Sequence, residues 1–216
     1  MKTLCTYLAA FFLTLWVFLT ALFSVGLNDE IYNLAQMRSG VTEESSSVTT
    51  EERLALNQDV AKYLSGRSDS IDGLSERAQA HMQDVRALLN GVRVGMYVLM
   101  GLTLVFAVLS EKTRLPRAFV RTAGGVIAVC AAVGIFAATR FSGMFEAFHR
   151  LFFDNDLWFL NPAEDALIRV MPEKFFMNMA LGVGISAVLR CLLACAILYM
   201  IRLVLKGRRT EDELRG

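Results

Sequence analysis

The chain has 216 residues, of which 55% are hydrophobic, with a mean hydropathy of +0.45 and a formal net charge of +1. Soluble domains usually hold about 45–50% apolar residues; here the excess is gathered into long runs, which excludes a soluble globular enzyme. The near-neutral balance gives no electrostatic basis for binding nucleic acid.

Four apolar runs are long enough, with their flanks, to cross a bilayer: about 6–27, 94–110, 123–139 and 177–204. They predict an all-α membrane protein of one domain, 1–216, with four transmembrane helices. The first run exceeds the apolar core of a secretory signal, and no A-x-A site follows it, so it reads as a retained span. Cys5 precedes this run and is not a lipidation cysteine of the kind that follows one.

The segment 28–93 comes next. From Asn28 to Val92 it carries eleven acids and six bases, and its excess of acids predicts an extracytoplasmic position. Within it, Glu51–Ser65 places Leu54, Leu56, Val60, Tyr63 and Leu64 near one helical face, with Thr50 as the N-cap and Gly66 as the stop. Residues 39–50 are small and polar and read as a mobile loop. From about Ser75 to Ser110 no strong breaker intervenes, and one continuous helix is expected whose first turns project from the membrane. His81 and Asp84 lie three apart and share a face of it.

Residues 111–122 carry four bases, Lys112, Arg114, Arg117 and Arg121, against Glu111. This loop, the short N-terminus with Lys2, and the tail 205–216 are expected to be cytoplasmic, because Lys and Arg flanking spans set orientation. The third helix is expected to continue past Arg140 into a Phe-rich segment, 140–176, on the outer face. Glu146 and His149 are three apart there, Trp158 is an interfacial anchor, and Pro162 opens a short helix through Ile168. Pro172 restarts the chain toward the last span. That span carries Arg190 near its middle, where a lone cation faces the bundle or a wet cavity. It is either a lipid-phosphate contact or a structural one.

The protein has two histidines, His81 and His149, and the topology places both on the outer side. Imidazole is the side chain suited to general acid–base work near neutral pH. Each histidine has a carboxylate one turn away, Asp84 or Glu146, able to fix a tautomer. The four residues also form an H-x-x-D plus E-x-x-H set able to hold a metal. His149 and Asp154 match the H-x-x-x-x-D of glycerolipid acyltransferases, which draw on cytoplasmic donors, whereas this pair reads as external. There is no G-x-S-x-G elbow and no glycine-rich phosphate loop. All four cysteines lie in or beside apolar runs. The chain offers bases without a nucleophile, which suits a substrate that brings its own.

Two stretches, S-E-R-A-Q-A-H-M-Q-D-V at 75–85 and F-H-R-L-F-F-D-N-D-L-W-F-L-N-P-A-E-D-A-L-I-R-V-M-P-E-K-F-F at 148–176, resemble the Lit family of lipoprotein intramolecular transacylases. Ala78 stands where the family pattern has a second acid. The resemblance implies transfer of an acyl chain from the diacylglyceryl group of a lipoprotein's N-terminal cysteine to that cysteine's α-amine, giving the lyso form. It implies His81 and His149 as the catalytic pair, one acting as base and the other donating to the oxyanion or leaving oxygen, with either assignment open. Asp84 becomes a supporting group and Asn155, Trp158 and Asp165 substrate-binding candidates; the reading of the residues adds Glu146 as a second supporting group and Arg190 as a substrate-binding candidate. The expected partners are a diacylglyceryl lipoprotein and membrane lipid, with no nucleic acid, a monomeric state, no cofactor and no metal. Two readings from other classes stand beside it: a metal-dependent membrane hydrolase and a non-catalytic membrane partner protein.

Overall fold

The structure is a computed structural model that describes residues 1–215, with side chains through residue 207, so Arg208 and Arg209 of the basic tail lie outside the described side chains. Among the described residues every regular element is a helix: α1 (Lys2–Gly26), α2 (Asp29–Arg38), α3 (Glu43–Ser46), α4 (Thr50–Ser65), α5 (Glu76–Leu109), α6 (Leu115–Thr139), α7 (Phe141–Phe152), α8 (Ala166–Val170) and α9 (Glu173–Arg215). Four of them, α1, α5, α6 and α9, are long and apolar enough to cross a membrane. The chain is an all-α, membrane-integral protein.

Two compact units are formed. The first comprises Met1–Ala21, Val94–Ala132 and Gly184 onward. Its core is small-residued, with Ala10, Val17, Ala118, Phe119, Ala123 and Cys191 buried together. In lipid there is no hydrophobic drive to bring helices together, so small side chains that admit close backbone packing take that role. Buried Thr14 bonds back to the Ala10 carbonyl at 2.8 Å and meets Thr122 at 3.3 Å. Val105, Val108, Leu189, Leu192 and Leu193 point outward, as lipid-facing residues do. Arg190 belongs to this unit, and its Nε donates to Ser186 one turn earlier at 3.2 Å.

The second unit comprises Leu22–Arg93 and Val133–Val183. Helices α2, α4, α8, the first turns of α5 and the start of α9 close over Tyr32, Val60, Tyr63, Leu64, Ile71, Met82, Val170 and Phe175. Ala78, at the position where a second acid was expected, is fully buried in this core. A polar seam joins α2 to α4. Gln36 and Asn57 exchange reciprocal amide hydrogen bonds at 2.8 Å, and Arg53 donates to Asn33 at 2.6 Å and Gln36 at 2.8 Å.

Several sequence expectations are corrected here. The N-cap of α4 is Thr49, whose hydroxyl accepts from the Glu52 amide while the Glu52 carboxylate accepts from the Thr49 amide. This reciprocal box satisfies two orphan donors, which Thr50 could not do from inside the first turn. Leu54 is exposed, and the buried face of α4 carries Arg53 and Asn57, because polar partners on α2 replace apolar ones. Residues 39–50 are not a loop throughout: Thr42 and Ser45 form their own capping box and start α3, which buries Ser46. The third helix does not run through Arg140. The backbone leaves helical geometry there (φ −141°, ψ 41°), and α7 starts afresh at Phe141. The short helix after Pro162 begins only at Ala166, because residues 161–165 form a turn closed by hydrogen bonds onto Asn161 and Asp165.

Candidate active site

The second unit brings His81 and His149 together from elements 68 residues apart in sequence. Their ring centroids are 5.9 Å apart, and both side chains are buried, at 8% and 7% exposure. His81 comes from the second turn of α5, and His149 from α7, a strongly amphipathic helix whose Phe148, Leu151 and Phe152 stay exposed. Around His149 stand Phe145 at 4.2 Å, Trp158 at 4.9 Å, Phe148 at 5.4 Å and Phe153 at 5.7 Å; Phe153 also meets the His81 ring edge-on at 5.3 Å. Water is largely excluded from both imidazoles.

The two imidazoles are held differently. His149 Nδ1 lies 2.7 Å from the Phe145 carbonyl, one turn back along α7. A carbonyl oxygen only accepts, so Nδ1 carries the proton and Nε2 keeps its lone pair. Burial lowers the His149 pKa from its ordinary value, partly offset by this bond. For His81 burial has the larger effect, reinforced by the His149 charge and opposed by Asp84, and its pKa is pushed down to about 4. His81 Nδ1 is buried with no hydrogen-bond partner among the described residues. Both rings are therefore neutral near pH 7.

The carboxylates near in sequence are engaged elsewhere. Asp84 accepts from the Asn155 amide at 2.9 Å. Glu146 pairs with Arg150 at 2.8 Å, one turn along its own helix. Asp154 is exposed. Among the described residues no three His, Cys, Asp or Glu side chains gather as a metal site, so the set His81, Asp84, Glu146 and His149 does not converge on one point.

The loop after α7 is tied to α5 at three levels. Asp165, 2% exposed, accepts from the Ser75 hydroxyl and from the Asn161 amide at 3.0 Å. Ser75 in turn accepts from the Ala78 amide at 3.1 Å, capping the start of α5. Arg77 donates through Nε to the Phe159 carbonyl at 3.1 Å and through Nη2 to the Asp156 carbonyl. Asn155, whose own Oδ1 accepts from the Leu157 amide at 3.0 Å, reaches Asp84. An open cleft of about 510 Å³ runs beside the pair, lined by Phe145 and Trp158 and by Arg77, Glu146, Arg150, Asp156 and Glu173, among others. Of the sequence candidates, His81, His149, Asp84, Asn155, Trp158 and Asp165 fall into this one assembly. Ser75, Arg77 and Phe153 were not singled out from the sequence; only the shared S-E-R stretch pointed toward the first two.

A model of the family described as Lipoprotein intramolecular transacylase Lit matches residues 7–176. A comparison with curated protein sequences finds no match. Among solved structures, the lipoprotein intramolecular transacylase Lit from Bacillus cereus superposes with a TM-score of 0.79 at 22% identity, covering 96% of this chain and 98% of that one. Two further structures of that protein, with one histidine replaced by arginine or by alanine, give TM-scores of 0.77 and 0.74 at 22% and 21% identity. They cover 97% of this chain and 95% and 96% of theirs. At this identity the likeness speaks to the fold: the same helical, membrane-integral architecture.

Proposed function

The chain belongs to the Lit family of lipoprotein intramolecular transacylases, and we propose that His149 is the base and His81 the oxyanion donor of the acyl transfer it performs. The enzyme moves an acyl chain from the diacylglyceryl group of a lipoprotein's N-terminal cysteine to that cysteine's α-amine. The observation that carries the assignment is the bond from His149 Nδ1 to the Phe145 carbonyl. It leaves Nε2 as the only basic atom of that ring.

The substrate supplies the nucleophile, an α-amine with a pKa near ~8. As the amine nitrogen attacks the ester carbonyl, His149 Nε2 takes its proton, and the carbonyl oxygen becomes an oxyanion. Neutral His81 retains one ring N–H and donates it to that oxygen, the role a neutral imidazole can fill as electrophile. Collapse breaks the ester C–O bond and forms the amide. The proton on His149 passes to the departing glyceryl oxygen, so the ring returns to its starting state. One N-acyl bond replaces one O-acyl bond, with no net proton change. Trp158 shields His149, while Asn155 and Asp165 brace the loop against α5. Neither Glu146 nor Arg190 is assigned a chemical step.

The topology belongs to the same proposal. Residues 28–93 and 140–176, with the site, lie on the extracytoplasmic face; residues 111–122 and both termini are cytoplasmic. Lys112, Arg114, Arg117 and Arg121 support this orientation. The lipoprotein approaches from the surrounding lipid, and one copy of the chain holds a complete set of site residues. A metal-dependent hydrolase is not favoured, since the four residues it would use do not gather.

The test is mass spectrometry of a lipoprotein's N-terminal lipopeptide, in a host that makes diacylglyceryl lipoproteins and has no other N-acylating enzyme. With the chain present, one acyl group is expected on the amine and one fewer on the glyceryl. His149→Ala and His81→Ala, correctly inserted, are expected to leave the diacyl form unchanged. Full transfer by both variants would overturn the assignment.

A further inference from the structure

We propose that Arg77 is a positioning residue for the transfer: its guanidinium clamps the 156–159 loop to α5 and so seats Trp158 on His149. The geometry is specific. Arg77 and His81 are one turn apart on α5, and the backbone atoms that Arg77 holds are the carbonyls of Asp156 and Phe159, on either side of Trp158. Trp158 in turn lies 4.9 Å from His149 at an interplanar angle of 32°. One side chain thereby links the helix that carries His81 to the indole that covers His149. Both contacts are to main-chain oxygens, so the clamp is independent of which side chains occupy 156 and 159.

Only a planar fork can do this. Arginine presents N–H donors in fixed directions and can hold two carbonyls at once, while lysine offers a compact point charge on a flexible stem. Asn155–Asp84 and Asp165–Ser75 pin the loop nearer its two ends. Neither lies within the 156–159 stretch. Loss of the clamp frees Trp158 while leaving the loop attached, and water then reaches His149.

The charged and titratable groups around His149 are His81 from α5, and beside the cleft Arg77, Asp156, Glu173 and the Glu146–Arg150 pair. Removing the Arg77 charge would by itself favour protonation of His149. Arg77→Lys is therefore the decisive variant, because it keeps the charge and removes the fork. Burial is the main cause of the depressed His149 pKa, so hydration through a loosened Trp158 should raise it toward the ordinary value.

The experiment reads Trp158 directly. The protein has two tryptophans, Trp16 and Trp158; Trp16 belongs to the first unit and Trp158 to the second. In a Trp16→Phe background, Trp158 is the sole indole emitter, and a neighbouring imidazolium quenches it. Wild-type Arg77 should give blue-shifted emission whose quenching midpoint falls below pH 6.5. Arg77→Lys should red-shift the emission, raise that midpoint, and lower kcat by about 10²-fold, the scale of an ångström-level misplacement, with KM little changed. Arg77→Gln should do the same more strongly.

The proposal is overturned if folded Arg77→Lys and Arg77→Gln keep wild-type emission, midpoint and kcat. It is equally overturned if they lose only folded protein, the remainder behaving as wild type, since Arg77 would then be merely structural. The inference rests on His149 as the base. If His149→Ala left transfer intact, that reading would fall, while the emission of Arg77→Lys would still decide the clamp.

Discussion

In the first unit the buried contacts are made mostly by small side chains, three alanines, a valine and a cysteine around Phe119, with a threonine whose hydroxyl bonds to its own helix. In the second unit they are made mostly by larger side chains, Tyr, Val, Leu, Ile, Met and Phe beside three alanines, crossed by amide, guanidinium and carboxylate hydrogen bonds between elements distant in sequence. Both sets of helices carry abundant apolar residues, yet they assemble by different means. Where lipid surrounds a helix, apolar side chains gain little by turning inward, and close packing of small residues is what remains. Where water surrounds it, burial drives assembly and polar groups caught inside must find one another. Catalytic precision requires fixed side chains, and the second unit has the means to fix them.

The comparison can be broken at several points, beginning with the chemistry itself. His149→Ala should lower acyl transfer by about 10²–10⁴-fold, the usual worth of a general base, without altering the amount of membrane-inserted protein. An equal effect on both quantities would mean that His149 is structural. Asp165→Ala removes the acceptor that holds Ser75 and the Asn161 amide. It should cost about 1–3 kcal/mol of stability by leaving buried donors unpaired, read as a lower thermal midpoint with reduced transfer. Asn57→Leu, at the α2–α4 seam, should fall in the same range but leave kcat of the folded fraction intact.

Acid should act on the second unit before the first. His81 is held neutral when folded, with its pKa pushed down to about 4 from an ordinary 6.5. A group depressed by folding contributes stability that is present above its unfolded pKa and lost as pH falls toward the folded value. The thermal midpoint should therefore decline between pH 6.5 and about 4, and His81→Phe should flatten that decline. Transfer should also fall below pH 8 as the substrate amine protonates, then more steeply below 6.5 as His149 does. The smallest effect is expected in the first unit. Thr14→Val removes an intrahelical bond and the Thr122 contact, and should cost about 0.6 kcal/mol or less, the mean worth of such bonds between membrane helices.

Much of this was legible in the sequence because it depends on local order along the chain. Apolar runs of span length gave the four long helices, and the absence of a breaker between Ser75 and Ser110 matched α5 at Glu76–Leu109. Both histidines stand out as residue types, while Asn155, Trp158 and Asp165 become site candidates only through the resemblance to the Lit family. What misled was also local. Leu54 fits an apolar periodicity, but Gln36 offers Arg53 and Asn57 hydrogen bonds that no single-helix pattern can show. Asp84 and Glu146 share helical faces with His81 and His149, yet Asn155 and Arg150 are better placed to take their carboxylates. Spacing along one helix says which side chains could meet, not which partner from another element arrives first.

The sequence by itself determined that this is a four-span helical membrane protein, because hydrocarbon thickness and backbone hydrogen bonding leave few ways to satisfy long apolar runs; the motifs at 75–85 and 148–176 carried its likeness to the Lit family. The tertiary structure alone decided that the two histidine rings sit 5.9 Å apart and that both are buried, which lowers the pKa of each. Those properties come from desolvation and from the packing of elements that hydrogen bonds tie together across 71 to 90 residues of chain. Neither exists until the second unit has closed.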